Sequence, residues 1–201
     1  MIDIALILLR DELISYLSTK DSATVNVDNI GLFESSGGTG LNDSIIISLV
    51  NVEEESALKN QPALKRPFNT TAVYRNPPVY LNLYVLFTCN YSGDNYRLAL
   101  QRLSLIIQFL QSKNSFSAGS TTSPGTLDMT NPDIVDLRFT MELYTLTFEQ
   151  INHLWGSLGG RQVPFVMYKL RLVAITERTL LREAPLIEEI DSNFNNSTLN
   201  R

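Results

Sequence analysis

Residues 147–175 read TFEQINHLWGSLGGRQVPFVMYKLRLVAI, and the punctuation of this stretch decides how the rest of the chain is read. The Thr147 hydroxyl can accept from the backbone N–H three residues on, and Gln150 can reach back, which makes a capping box. Ile151, Leu154, Trp155 and Leu158 then recur at three- and four-residue spacing, so they share one face of a short helix. Gly159 and Gly160 end it, because glycine enters the left-handed C-terminal conformation without a Cβ clash. Past Pro164, residues 165–175 read as a closing strand. Val166, Tyr168, Leu170 and Leu172 take one face, and Lys169 and Arg171 the other. Thr147, Gln150, Trp155, Gly159, Gly160 and Pro164 are therefore read as structural residues.

Two further strands lie upstream. VYLNLYVLFTC, residues 79–89, puts Val79, Leu81, Leu83, Val85, Phe87 and Cys89 on one face. Tyr80, Asn82, Tyr84 and Thr88 fall on the other, which is amphipathic enough to expect a cover from another element or chain. SIIISLVNV, residues 44–52, is β-branched and suits a central strand. Glu53, Glu54 and Glu55 follow it. Consecutive strand residues point to alternate faces and do not converge on one ion, so this is read as a solvated strand end. Residues 135–146 alternate as another strand, with Leu137, Phe139, Met141 and Leu143 inward.

The spacing predicts an amphipathic helix over 2–17, with Ile4, Ile7, Leu8 and Ile14 inward and Arg10, Asp11 and Glu12 toward water. A second helix is predicted over 95–113, started by Ser92 or Asp94 and buried through Leu98, Leu103, Ile106, Ile107 and Leu110. Val25 and Val27 suggest a short edge strand. Residues 35–40 and 119–125 are loops, and 56–78 is a long connection read as a contact arm. Short helices are expected over 179–182 and 186–190, and 193–201 is polar enough to fray. The expected fold is α+β: one domain over 1–175, a mainly antiparallel or mixed sheet flanked by helices, and a C-terminal extension over 176–201, partly helical or flexible.

Composition narrows the function classes. A chain of 201 residues, 44% hydrophobic and 18% charged, can bury a substantial core. Its net charge of −5 argues against nonspecific nucleic-acid binding, which needs a basic face. The opening MIDIALILLRDELISYL has Asp3 where a signal peptide carries basic residues, and no run is long enough to insert in a membrane. Folding in the cytosol is expected. Cys89, alone, forms no internal disulfide and is read as a buried thiol.

Catalysis has little to stand on. His153 is the single histidine, which excludes a multi-histidine metal site. It is read as a surface or interface residue beside Asn152 rather than a catalytic base. No phosphate-binding loop, dinucleotide fingerprint or nucleophile elbow occurs. Glu142 and Glu149 are an acid–base pair only if the fold brings them together. Tyr80, Tyr84, Tyr144, Trp155 and Tyr168 would line a ligand pocket only if they converged, and core and interface packing explains them more cheaply. No catalytic residue, cofactor or metal is assigned, and an interaction protein is favoured over an enzyme.

Three segments together resemble the cap proteins of phage-tail-like contractile injection systems, of the antifeeding-prophage and virulence-cassette kind. They are IALILLRDELISYL, the middle block LVNVEEESALKN…PPVYLNLYVLFTCNYSGDNYRLALQRLSLIIQFLQ, and LYTLTFEQINHLWGSLGGRQVPFVMYKLRLV. The resemblance covers most of 1–175, and FEQINHLWGSLGG…P…YK is its most specific part. It implies a tail-terminator-like fold and no enzyme activity or cofactor. It also implies a six-fold ring of copies on the end of inner tube and sheath opposite the baseplate. Such a ring terminates polymerisation, fixes length and anchors sheath to tube. The implied partners are further copies, the inner-tube protein and the sheath protein. The particle is implied to assemble in the bacterial cytoplasm and then to be released or membrane-anchored. Asn152, His153, Lys169, Arg171, Tyr80 and Tyr84 are the expected interface residues. Another tail component, in the baseplate or as an adaptor, is the nearer alternative.

Overall fold

The computed structural model describes residues 1–32, 41–58, 64–65, 71–91, 93–121, 129–175 and 180–185. In chain order its elements are α1 (Ile2–Ser18), β1 (Val25–Val27), β2 (Ser44–Glu54), β3 (Leu64–Lys65), β4 (Thr71–Arg75), β5 (Val79–Asn90) and α2 (Tyr96–Ser112). They continue with β6 (Ser115–Ser117), α3 (Pro132–Val135), β7 (Arg138–Leu143), α4 (Phe148–Ser157), β8 (Phe165–Ile175) and β9 (Leu180–Pro185). The chain divides into two compact units, Met1–Lys59 with Val79–Ile175, and Asn60–Pro78 with Thr176–Arg201.

The first unit holds a sheet in the order β1-β2-β5-β8-β7-β6. The short edge strand β1 pairs parallel to β2, and the other neighbours run antiparallel, giving the expected mixed α+β arrangement. The long strand β5 lies between β2 and β8, and its two faces feed two apolar clusters. Leu83, Val85, Phe87 and Cys89 join α1, α2 and the inner residues of β7 in the larger cluster. Leu86 joins Trp155, Ile46 and Met167 in the smaller one, so the second face of β5 is covered by α4 from its own chain. Burial pushes the Cys89 thiol up to about 12, which keeps it protonated and inert.

Several expectations are corrected. In α1 the buried residues are Ala5, Leu6, Leu8, Leu9, Asp11, Glu12, Leu13 and Leu17, while Ile14 is exposed. The helix is apolar on most sides, so ion pairing decides its rotation. Glu12 goes inward because Lys113 reaches it at 2.8 Å, and Asp11 is held by Arg10 at 2.7 Å. The start of α2 is Asn95, with no side-chain cap, rather than Ser92 or Asp94. Its inward face is Ala99, Arg102, Ile106, Phe109 and Leu110, whereas Ile107 is exposed. Arg102 is buried because Tyr91 Oη and the Ser22 carbonyl accept its N–H groups. The strand expected over 135–146 is confined to β7, because Asn131 caps the preceding turn by accepting from the Asp133 N–H at 2.9 Å. Leu143 is 59% exposed rather than inward. A β-bulge opposite residues 81–83 shifts β8 by one, so Val173 takes the inward position after Leu170.

The second unit is a three-stranded antiparallel sheet in the order β3-β4-β9. Here the connection expected over 56–78 contains strands. The segment expected as a helix over 179–182 is extended from Leu180 onward, paired with β4. The loop over 35–40, residues 122–125 of the second loop, the helix over 186–190 and the tail over 193–201 lie outside the described residues.

Candidate docking face

The second face of the sheet is divided between one helix and one polar ladder. The helix, α4, starts as the sequence dictates. Thr147 Oγ1 accepts from Gln150 N–H at 3.3 Å, and Gln150 Oε1 accepts from Thr147 N–H at 2.9 Å. It stops where Gly159 and Gly160 take φ of 105° and 82°, letting Gly160 N–H return to the Trp155 carbonyl at 2.7 Å. Trp155 is only 3% exposed and meets Phe165 edge-on at 5.4 Å. Ile151, Leu154 and Leu158 pack around it. Pro164 closes the corner by accepting from Cys89 N–H at 2.9 Å.

Toward the other end of the same strands, polar side chains link across β2, β5, β8 and β7. Tyr84 donates to Glu53 Oε2 at 2.7 Å, Lys169 reaches the same oxygen at 3.2 Å, and its ammonium lies 5.3 Å from the Tyr84 ring centre. Alongside, Asn82 donates to Glu55 Oε2 at 2.9 Å, and Arg171 bridges Glu55 at 3.4 Å and Glu142 at 3.1 Å. The Tyr84 hydrogen bond, then Lys169, holds the Glu53 carboxyl below its ordinary value. The Asn82 hydrogen bond does the same for Glu55. The Glu53 carboxylate raises the Tyr84 phenol. Hydrogen bonding with Tyr84 and Glu53 outweighs burial at Lys169 and raises its pKa.

Of the six expected interface residues, Lys169, Arg171 and Tyr84 come together in this ladder. Tyr80 stands on β5 opposite Ala174, half-buried, with its carbonyl accepting from Glu55 N–H at 2.8 Å. Asn152 and His153 are exposed on α4, where His153 Nε2 lies 3.8 Å from Glu149 Oε1. Glu142 and Glu149 thus have separate basic partners. The aromatic residues do not converge either. Tyr84 and Tyr144 meet edge-on at 5.0 Å, but Tyr168 meets Phe87 at 5.8 Å within the larger cluster. Among the described residues no group of His, Cys, Asp and Glu is arranged to hold a metal, and no helix is long and apolar enough to cross a membrane.

Sequence reasoning missed two features. Glu53 and Glu55 are two residues apart and so share a face, a spacing that pointed at paired cations on the neighbouring strands. Phe148, the first residue of α4, is 88% exposed. By spacing Phe148 falls in phase with Ile151 and Trp155, so nothing local announced its exposure.

A solved structure of the sheath/tube terminator of an extracellular contractile injection system (PVC), in its extended state, shares this fold with a TM-score of 0.64 at 14% identity. The likeness covers 100% of this chain and 65% of that one. The tube-terminating cap of the anti-feeding prophage matches with a TM-score of 0.61 at 14% identity, over 96% of this chain and 61% of that one. The chain therefore spans under two thirds of the length of both. A search of proteins with curated functions gave no match. Residues 7–189 match the model of a family described as the Pvc16 N-terminal domain, and the chain belongs to that family.

Proposed function

We propose that this protein is a structural cap of a contractile injection system. It sits as a ring at the baseplate-distal end, stops growth of inner tube and sheath, fixes their length and anchors one to the other. The observation that carries this reading is the likeness to a sheath/tube terminator and a tube-terminating cap across 96–100% of the chain. Family membership over 7–189 supports it. The role asks for a rigid surface, not for chemistry. In the ladder, Lys169 and Arg171 are held in register by carboxylates before any partner arrives, which favours correct registration over raw affinity. Asn152 and His153 on α4, with Tyr80, Tyr84, Lys169 and Arg171, are the proposed contacts. The protein assembles in the cytoplasm and becomes part of a particle that is released or membrane-anchored.

Negative-stain microscopy of particles from a strain lacking this gene, beside the complemented strain, tests the reading. Missing sheaths or tubes of uncontrolled length, restored by complementation, are expected. Particles of normal length with an intact distal cap would sink it and move the protein to the baseplate.

A further inference from the structure

The geometry points to a self-docking pair within one chain: Phe148 is a knob, and a groove at the β1–β2 edge is its socket in a second copy. This rests on the ring reading above and names the contact that would build the ring. The groove has a volume of about 410 Å³ and is lined by Val27, Leu49, Val50, Leu154 and Leu158, with Asp28 at its rim. Val27 and Leu49 are exposed by more than a third, so the apolar lining is open. Phe148 is the large apolar residue most exposed among those described, and Leu143 follows it. A phenyl ring buries roughly 150–250 Å² when covered, which suits a central anchor within an interface of about 800 Å² per partner.

Placement excludes filling the groove with the chain's own Phe148. The knob is at the first residue of α4, whereas the groove includes Leu154, Ser157 and Leu158 at the other end. The rise along the helix sets Phe148 about 9 Å from Leu154 and about 15 Å from Leu158. Across the sheet, β7 leads into the knob and β1 borders the groove, four strand positions apart, or about 19 Å. Two separate complementary patches on one chain make a head-to-tail contact, which closes into a ring or runs on as a filament, rather than a two-fold dimer. Helix polarity favours the docking, although the Glu149 carboxylate next to Phe148 repels Asp28. The N-terminus of α4 carries N–H groups at Phe148 and Glu149 with no acceptor inside the helix, and the exposed Asp28 carboxylate at the groove rim complements that positive end. Glu149 beside them lies against His153.

Sedimentation velocity of the purified chain across a concentration series tests this. The natural chain is expected to self-associate. Phe148→Ala should weaken association roughly thirty-fold, as for a central anchor residue. Leu49→Glu and, as a second groove variant, Val27→Glu should do the same, with thermal melts confirming that each folds. Mixing Phe148→Ala with a groove variant leaves one intact knob and one intact groove, so dimers and nothing larger should form. A natural chain that stays monomeric at hundreds of micromolar, or a Phe148→Ala chain that associates like it, would overturn the pair. Normal particle lengths in the deletion strain would instead overturn the cap reading, whatever sedimentation gives.

Discussion

Strands β2, β5 and β8 run under α4 at one end and carry the polar ladder at the other. Under α4, Ile46, Leu86 and Met167 are buried against Trp155, and non-directional burial holds the layer. Farther along the same face, Glu53, Tyr84 and Lys169 hold one another through hydrogen bonds and charge, with half of Glu53 still in water. Register is shared, chemistry is not. The covered half supplies stability, whereas the Glu53–Lys169 pair, reached by solvent, adds little to folding and keeps a fixed pattern of charge on display. Mutations should therefore separate the halves.

Truncating Trp155 is the sharpest cut. Trp155→Ala should cost about 3–5 kcal/mol by chemical denaturation, since it empties the centre of the smaller cluster. A cost under about 1 kcal/mol would erase the distinction between the halves. Trp155 Nε1 is buried with no partner among the described residues, so Trp155→Phe loses no hydrogen bond. That swap should cost less than Trp155→Ala, because it removes one ring rather than two. Next comes the cap of α4. Thr147→Ala removes the hydroxyl that accepts from Gln150 N–H, and about 1 kcal/mol should follow.

How far the sequence made this legible follows the same division. The α4 unit could be read residue by residue, because caps, glycine stops and helical spacing are local signals. The core phase of β5 was legible because its alternation is unbroken from Leu83 to Cys89. The rotation of α1 was not, since Glu12 goes inward only for a lysine 101 residues away. The ladder escaped for the same reason: Glu53 meets Lys169 across 116 residues, and no local pattern announces that pairing. Strand β9 was hidden because its partner β4 sits in what read as a loop. The slip after Leu170 depends on a bulge, which composition does not encode.

The ladder should barely register in stability. Lys169→Met is expected to leave the denaturation midpoint unchanged within error at neutral pH, because an exposed pair gains little over hydration. A large loss would mean that the ladder belongs with the core. If the same variant disturbs particle length while folding normally, the contrast between the halves is sharpened into a contrast of roles.

The smallest expected effect is the pH dependence of Glu53. Its folded carboxyl titrates below the ordinary value of 4.5, chiefly through the Tyr84 hydrogen bond and then Lys169. A lowered folded value means that the unfolded chain binds the proton more readily. The stabilisation is thus fully present above the unfolded value and is lost as pH falls through the folded one. The stability gap between the natural chain and Glu53→Gln should be constant well above the ordinary value of 4.5 and close as the pH falls through the lowered folded value. Urea midpoints measured across that range read it directly. A gap that stays open at the acid end would show that the glutamate acts through packing rather than charge, and the ladder would then be held by the same physics as the half beneath α4.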